Sequence, residues 1–270
     1  MAEEKILPDE VVLKIENLSI AFGGLKAVDN LSFDIKENEI FGLIGPNGAG
    51  KTTAFNCITQ FYKPNSGNIY FRDRNNNILN LLEYEVHEII KLGLVRTFQN
   101  VELIRELSIL DNVLIGAHID FQSSILAQAL KLPKARKEER ALREEAIKIL
   151  RNLELEERKD MLVAGQPYGI LKKVELARTL LCKPKLIILD EPAAGLNDKE
   201  TEQLSETIKR IRDHFNCSIL LVEHDMRLVM DVCDRICAIS FGKFLALGTT
   251  KEIQNNKDVQ AAYLGTDGDE

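Results

Sequence analysis

Residues 40–64 join three signals that few folds satisfy together. A short buried-type run, Ile40 to Ile44, leads into Gly45-Pro46-Asn47-Gly48-Ala49-Gly50-Lys51-Thr52-Thr53, and a helical pattern follows that Pro64 is expected to end. Gly45 through Thr52 fit G-x-x-x-x-G-K-[ST], in the strand, loop and helix context that gives the pattern its meaning. The glycines let the backbone curl so that successive N–H groups face inward, and the helix adds the positive end of its dipole. Such a loop holds anionic phosphate oxygens. Lys51 is expected to reach the β- and γ-phosphates, and Thr52 to offer its hydroxyl to Mg²⁺.

The loop alone would serve a kinase, a GTPase or a motor, so a partner carboxylate has to decide. Leu186 to Leu189 form a second buried run that delivers Asp190 and Glu191 at its carboxyl end, where ligands bind in open α/β sheets. Asp190 suits Mg²⁺ held through water. Glu191 suits a general base that polarises an attacking water, a role that a small kinase does not need.

Around these segments the chain reads as α/β. The first forty residues read as antiparallel strands: Leu31, Phe33 and Ile35 alternate with Ser32, Asp34 and Lys36, and Val12, Lys14, Glu16, Leu18 and Ile20 form a weaker series. A further buried strand, Ile219 to Val222, follows a helix with apolar positions Leu204, Ile208, Ile211 and Phe215, whose capping box is Asn197 with Glu200. From about residue 100 to 165 no strand is evident. Residues 131–160 carry ten basic and eight acidic side chains around Leu142, Ala146, Ile147 and Leu150, the pattern of a solvated amphipathic helix. A hairpin is expected around Phe241, Gly242 and Lys243, then a last helix capped by Thr249 and Glu252. The expected fold is therefore a P-loop NTPase core with an antiparallel β subdomain and an inserted α-helical subdomain. The core takes residues 10–95 and 166–248, the helical insertion 96–165, and the C-terminal helix and tail 249–270, all one domain.

Composition narrows the function classes. With 45% hydrophobic and 29% charged residues the chain has material for a core, which excludes disorder. It lacks the roughly 18 consecutive apolar residues of a membrane helix, and MAEEKILPDE has no signal-peptide pattern, so a cytosolic chain is expected. The net charge of −7 argues against a nucleic-acid partner. Five cysteines, an odd number without paired short spacing, read as reduced thiols: Cys57, Cys182 and Cys217 as core residues, and Cys233 with Cys237 without the further ligands of a zinc site.

Taken together, the loop, the acidic pair and three further motifs resemble an ABC-transporter nucleotide-binding subunit from about Leu13 to Gly265. Gln99 in Arg96-Thr97-Phe98-Gln99 resembles the Q-loop, Ala194-Gly195-Leu196-Asn197 the D-loop, and His224 the switch histidine. Phe22 stands where the family stacks an aromatic on adenine. The resemblance implies that Gln99 senses Mg²⁺ and the transmembrane contact, and that His224 hydrogen-bonds the γ-phosphate. The other histidines, His87, His118 and His214, have no such context.

Within the family the likeness is to the larger ATPase of bacterial branched-chain amino-acid uptake. It rests on Phe55-Asn56-Cys57-Ile58-Thr59, residues 96–101, 111–118 and 191–197, Glu223-His224-Asp225-Met226 and the ending Ala262-Tyr263-Leu264-Gly265. ATPases for urea uptake or lipopolysaccharide export share part of this pattern. The resemblance implies ATP and Mg²⁺, a second ATPase subunit, two integral membrane permeases, a solute-binding protein outside, and a place on the cytoplasmic face of the bacterial inner membrane.

One motif departs from the family. The signature, usually L-S-G-G-Q, reads Gln166-Pro167-Tyr168-Gly169-Ile170, with only Gly169 kept. In the family this segment faces the nucleotide held by the opposite subunit. The departure favours a heterodimer with unequal sites over a homodimer, and leaves open a subunit that binds nucleotide but hydrolyses weakly.

Overall fold

The structure is a computed structural model that describes residues 7–97, 102–116 and 133–264. Strands β1 (Val11–Phe22), β2 (Leu25–Lys36), β4 (Ser66–Arg72) and β5 (Ile78–Asn80) form an antiparallel sheet in the order β2-β1-β4-β5. The second sheet combines β3 (Ile40–Ile44), β6 (Leu94–Arg96), β7 (Leu186–Asp190), β8 (Ser218–Val222), β9 (Arg235–Ser240) and β10 (Lys243–Thr249). Its order is β10-β9-β3-β8-β7-β6, parallel throughout except for the β9–β10 hairpin.

The central strands are apolar without interruption because each faces a core on both sides. Phe41, Leu43, Leu186, Ile188, Leu220 and Val222 point toward the antiparallel sheet and α1 (Lys51–Ile58). Ile40, Ile44, Ile187, Leu189, Ile219 and Leu221 point to the opposite face, where the helices pack. These are α3 (Ile109–Ile115), α4 (Pro133–Asn152), α5 (Tyr168–Leu181), α6 (Asp198–Phe215) and α7 (Met226–Val232), after the short α2 (Val86–Leu92) near the antiparallel sheet. Helix α4 buries Ala135, Ala146, Ile149 and Leu150 and leaves its charges in solvent, and α6 buries Leu204, Ile208 and Ile211 under the Asn197 and Glu200 capping box.

Several expectations change in detail. The series Val12, Lys14, Glu16, Leu18, Ile20 is not one face of β1. Asn17 takes φ 51° and the pairing slips between Ile15 and Leu18, so Leu13 and Ile15 are buried before the slip and Leu18 and Ile20 after it. Helix α1 ends at Ile58, well before Pro64, because Thr59 returns its hydroxyl to the Phe55 carbonyl and Gln60 turns to φ 59°. Strands β4, β5 and β6 have no regular alternation of buried and exposed positions, so their sequences do not announce them. Among the described residues two short helices follow β10, α8 (Thr250–Gln254) and α9 (Lys257–Leu264), not one. Cys233 follows α7 and Cys237 lies in β9, and all five thiols are buried. Among the described residues no helix is long and apolar enough to cross a membrane.

Candidate functional site

Parallel pairing sets the site. Leu43 pairs with Val222 and Val222 with Asp190, so the carboxyl ends of β3, β8 and β7 lie level and side by side. The phosphate loop leaves the first, Glu223 and His224 the second, and Glu191 the third. A cavity of about 450 Å³ opens there, lined by Leu25, Lys26, Ala27, residues 47–53, Glu191 and Phe241.

Two glycines shape the loop by close approach. A Cβ on Gly50, at φ 100°, would strike the Ala27 carbonyl oxygen, and one on Gly45 would strike that of Ile239. The hairpin turn braces the loop from below, with the Gly242 N–H donating to Ala49 O at 2.9 Å and the Asp29 N–H donating to Gly242 O at 2.7 Å. Helix α1 begins on Gly50 with no side-chain cap, so its first turn keeps N–H groups for an anion.

Lys51 is buried and folds back on its own loop, donating to Gly45 O at 2.5 Å and to Pro46 O at 3.1 Å. Burial pushes its ammonium pKa down, and Glu191 and Glu223 oppose that shift. An arriving phosphate would take over the place of these carbonyls. Lys51→Ala is expected to weaken MgATP binding roughly tenfold to a hundredfold, the worth of a charge-assisted hydrogen bond. Titration with a labelled ATP analogue checks this, since the chain has no tryptophan, and unchanged affinity would remove Lys51 from the phosphate site.

Asp190 is buried, and its carboxylate accepts from Arg96 Nη2 at 3.2 Å. Burial raises its pKa, Arg96 opposes the rise and Glu191 adds to it. Arg96 also donates to Asn56 at 3.1 Å and lies over the Phe55 ring at 4.2 Å. Glu191 sits at the cavity wall with φ 45°, a costly left-handed conformation for a side chain of this kind, fixed by its N–H donating to Val222 O at 2.8 Å. His224 Nδ1 stands 3.9 Å from Glu191 Oε1, and its side chain is 58% exposed, free to meet a ligand.

The remaining sequence candidates fall as follows. Thr52 and Thr53 line the cavity, as do Asn47, Gly48 and Ala49. Phe22 does not line it; it ends β1 half-exposed, edge-on to Tyr62 at 5.3 Å, while Leu25 and Phe241 supply the apolar wall. Gln99 lies outside the described residues. Pro167 is the N-cap of α5, Tyr168 packs toward Gly195, and Gly169 toward Glu200. None of the three lines the cavity on Lys51. Sequence reasoning missed Arg96, Phe241 and Glu223. A charged residue directly after an unbroken apolar strand, as Glu223 is, was the available signal.

The sequence profile of the ABC transporter family matches residues 28–194, and a second, described as branched-chain amino acid ATP-binding cassette transporter, matches residues 245–269. The chain is 44% identical over 254 residues to the high-affinity branched-chain amino acid transport ATP-binding protein LivG of Salmonella typhimurium, covering 94% of this chain and 98% of the relative. It is 41% identical to BraF of Pseudomonas aeruginosa, with the same coverage of both chains. Among solved structures, the ADP conformation of MJ1267, an ATP-binding cassette of an ABC transporter, superposes with a TM-score of 0.79 at 30% identity, over 94% of this chain and 99% of that one. A glycine-rich loop, an acidic strand end and a histidine converge here on the fold of those cassettes, and the chain belongs to the ABC transporter family as an ATP-binding subunit.

Proposed function

We propose that the chain hydrolyses ATP to power branched-chain amino-acid import through membrane permeases, with Glu191 as general base and His224 and Lys51 as the side chains that meet the γ-phosphate. The observation that carries the substrate class is 44% identity to a high-affinity branched-chain amino acid transport protein along 94% of the chain, joined by the match at residues 245–269. The cavity loop and the α1 N-terminus bind the phosphates by backbone N–H groups, while Glu191 takes a proton from the attacking water.

The donor set also fits Mg²⁺. Asp190 and Thr52 offer hard oxygen ligands, and Glu191 and Glu223 raise the local negative charge, which a nucleotide would raise further. Asp190, Thr52 and Gln99 would hold the ion, which neutralises phosphate charge when bound. Asp190 then has to share or exchange its Arg96 partner.

The working assembly in this reading is a head-to-tail pair with a second ATPase, on the cytoplasmic face of the membrane, served by two permeases and an outer solute-binding protein. Reconstitution with these partners tests it: leucine, isoleucine or valine with the binding protein should stimulate phosphate release. Failure of all three would end the amino-acid reading and leave the ATPase standing.

The signature supports unequal sites. Gln166 is tied to Arg158 at 3.3 Å and to the Leu162 carbonyl at 3.1 Å, and Pro167 has no N–H or hydroxyl to offer. Pro167→Ser would add an N-cap worth about 0.5–2 kcal/mol to α5 and a hydroxyl toward the partner's nucleotide. The expected result is faster turnover at the partner's site alone, read by pairing the variant with a second ATPase whose own base is removed or retained. Two kinetically identical sites in the unmodified pair would end this reading.

A further inference from the structure

We propose that Glu223 is a positioning residue for hydrolysis, its fully buried carboxylate joining the turn that carries Glu191 to the turn that carries His224. The inference rests on the reading of Glu191 and His224 given above.

Strands β7 and β8 stop pairing at Asp190 and Val222. Beyond that point the ladder is continued by the Glu191 N–H on Val222 O, and after it by one side chain. Glu223 Oε1 accepts the Ala193 N–H at 2.9 Å, and Oε2 accepts the N–H groups of His224 at 2.7 Å and Asp225 at 3.1 Å. Glu223 is 0% exposed, so these bonds form where water cannot replace them. Each bond ends on backbone within two residues of the base or of the histidine. The carboxylate also stands 3.5 Å from His224 Nδ1. Moving the carboxylate therefore moves Glu191 relative to His224, and a shift of about 1 Å in a reacting group costs on the order of a hundredfold in rate.

Two substitutions separate this role from plain stability. Glu223→Asp keeps the charge and the bonds to its own turn but shortens the reach toward Ala193 by about 1.5 Å. Glu223→Gln keeps the length and turns an amide N–H against a backbone N–H. Single-turnover hydrolysis, affinity for a labelled non-hydrolysable ATP analogue and Tm are read for each, alone and combined with Glu191→Gln. Expected is a roughly tenfold to hundredfold fall in hydrolysis with analogue affinity held within about threefold, and no further fall in the Glu191→Gln background. Should the Gln variant fail to fold, the Asp variant decides. Wild-type hydrolysis in Glu223→Asp, a fall that repeats in full beside Glu191→Gln, or an equal loss of analogue affinity would each overturn the proposal. Normal turnover in Glu191→Gln alone would instead remove the base on which it rests.

Discussion

Glu191→Gln is expected to bind MgATP as the parent does and to lose hydrolysis by about 10²–10⁴-fold, the range for removing a positioned general base. The change is isosteric, and the backbone features that hold residue 191, its φ of 45° and its N–H bond to Val222 O, do not involve the carboxylate. Stability should therefore move little, and the loss should appear in the chemical step and not in affinity. Phosphate release at saturating ATP, set beside retention of a labelled analogue, makes the comparison. Turnover within about threefold of the parent would mean that another group takes the proton. Such a result would leave the nucleotide site in place and return Glu191 to the role of a strained turn residue.

Arg96→Ala should give the largest change in stability, a loss on the order of 3–5 kcal/mol, the usual cost of leaving one member of a buried ion pair alone. Arg96 and Asp190 retain only 18% and 11% of their side-chain exposure, so solvent screens the pair little. The substitution also removes a guanidinium stacked on Phe55 and leaves Asn56 without that donor. Its pH dependence carries a sign. Asp190 is already raised above the ordinary aspartate value of about 4 by burial, and Arg96 opposes that rise. Without Arg96 the folded-state pKa goes higher, so ionisation opposes folding at pH above that value and ceases to do so once the carboxyl is protonated in both states. The gap between variant and parent in urea unfolding should therefore narrow as pH falls from above the raised Asp190 value toward the ordinary aspartate value of about 4. A gap that stays constant or widens would show that the loss comes from packing on Phe55 and not from the charge on Asp190. Arg96→Lys should recover only part of it, because an ammonium keeps the charge but not the planar fork that serves Asn56 and Asp190 together.

Much of the chemistry was legible locally. The loop needs Gly45 and Gly50 because the Ile239 and Ala27 carbonyls pass where a Cβ would sit, and that need shows in residue type before any contact is known. Capping boxes at Asn197 and Thr249 were likewise local, since donor and acceptor lie three residues apart. The bulge at Asn17 was not, because it is defined by how β1 pairs with β2 and β4. Arg96 shows the same limit. Nothing in residues 94–97 reveals that its guanidinium will meet a carboxylate 94 positions later.

By itself, then, the sequence determined which residues can do chemistry: a backbone nest with one lysine, an acidic pair after a buried strand, and a histidine after another. The order of those strands was decided by tertiary structure alone. Strands buried on both faces are apolar at every position, so their sequences carry no mark of which neighbour they take or in which register. Parallel pairing of β3 with β8 and of β8 with β7 brings Lys51, Glu191 and His224 together from positions up to 173 residues apart. It also encloses Glu223 between two turns, where its carboxylate accepts backbone N–H groups of Ala193, His224 and Asp225, partners that its place after an apolar strand does not reveal.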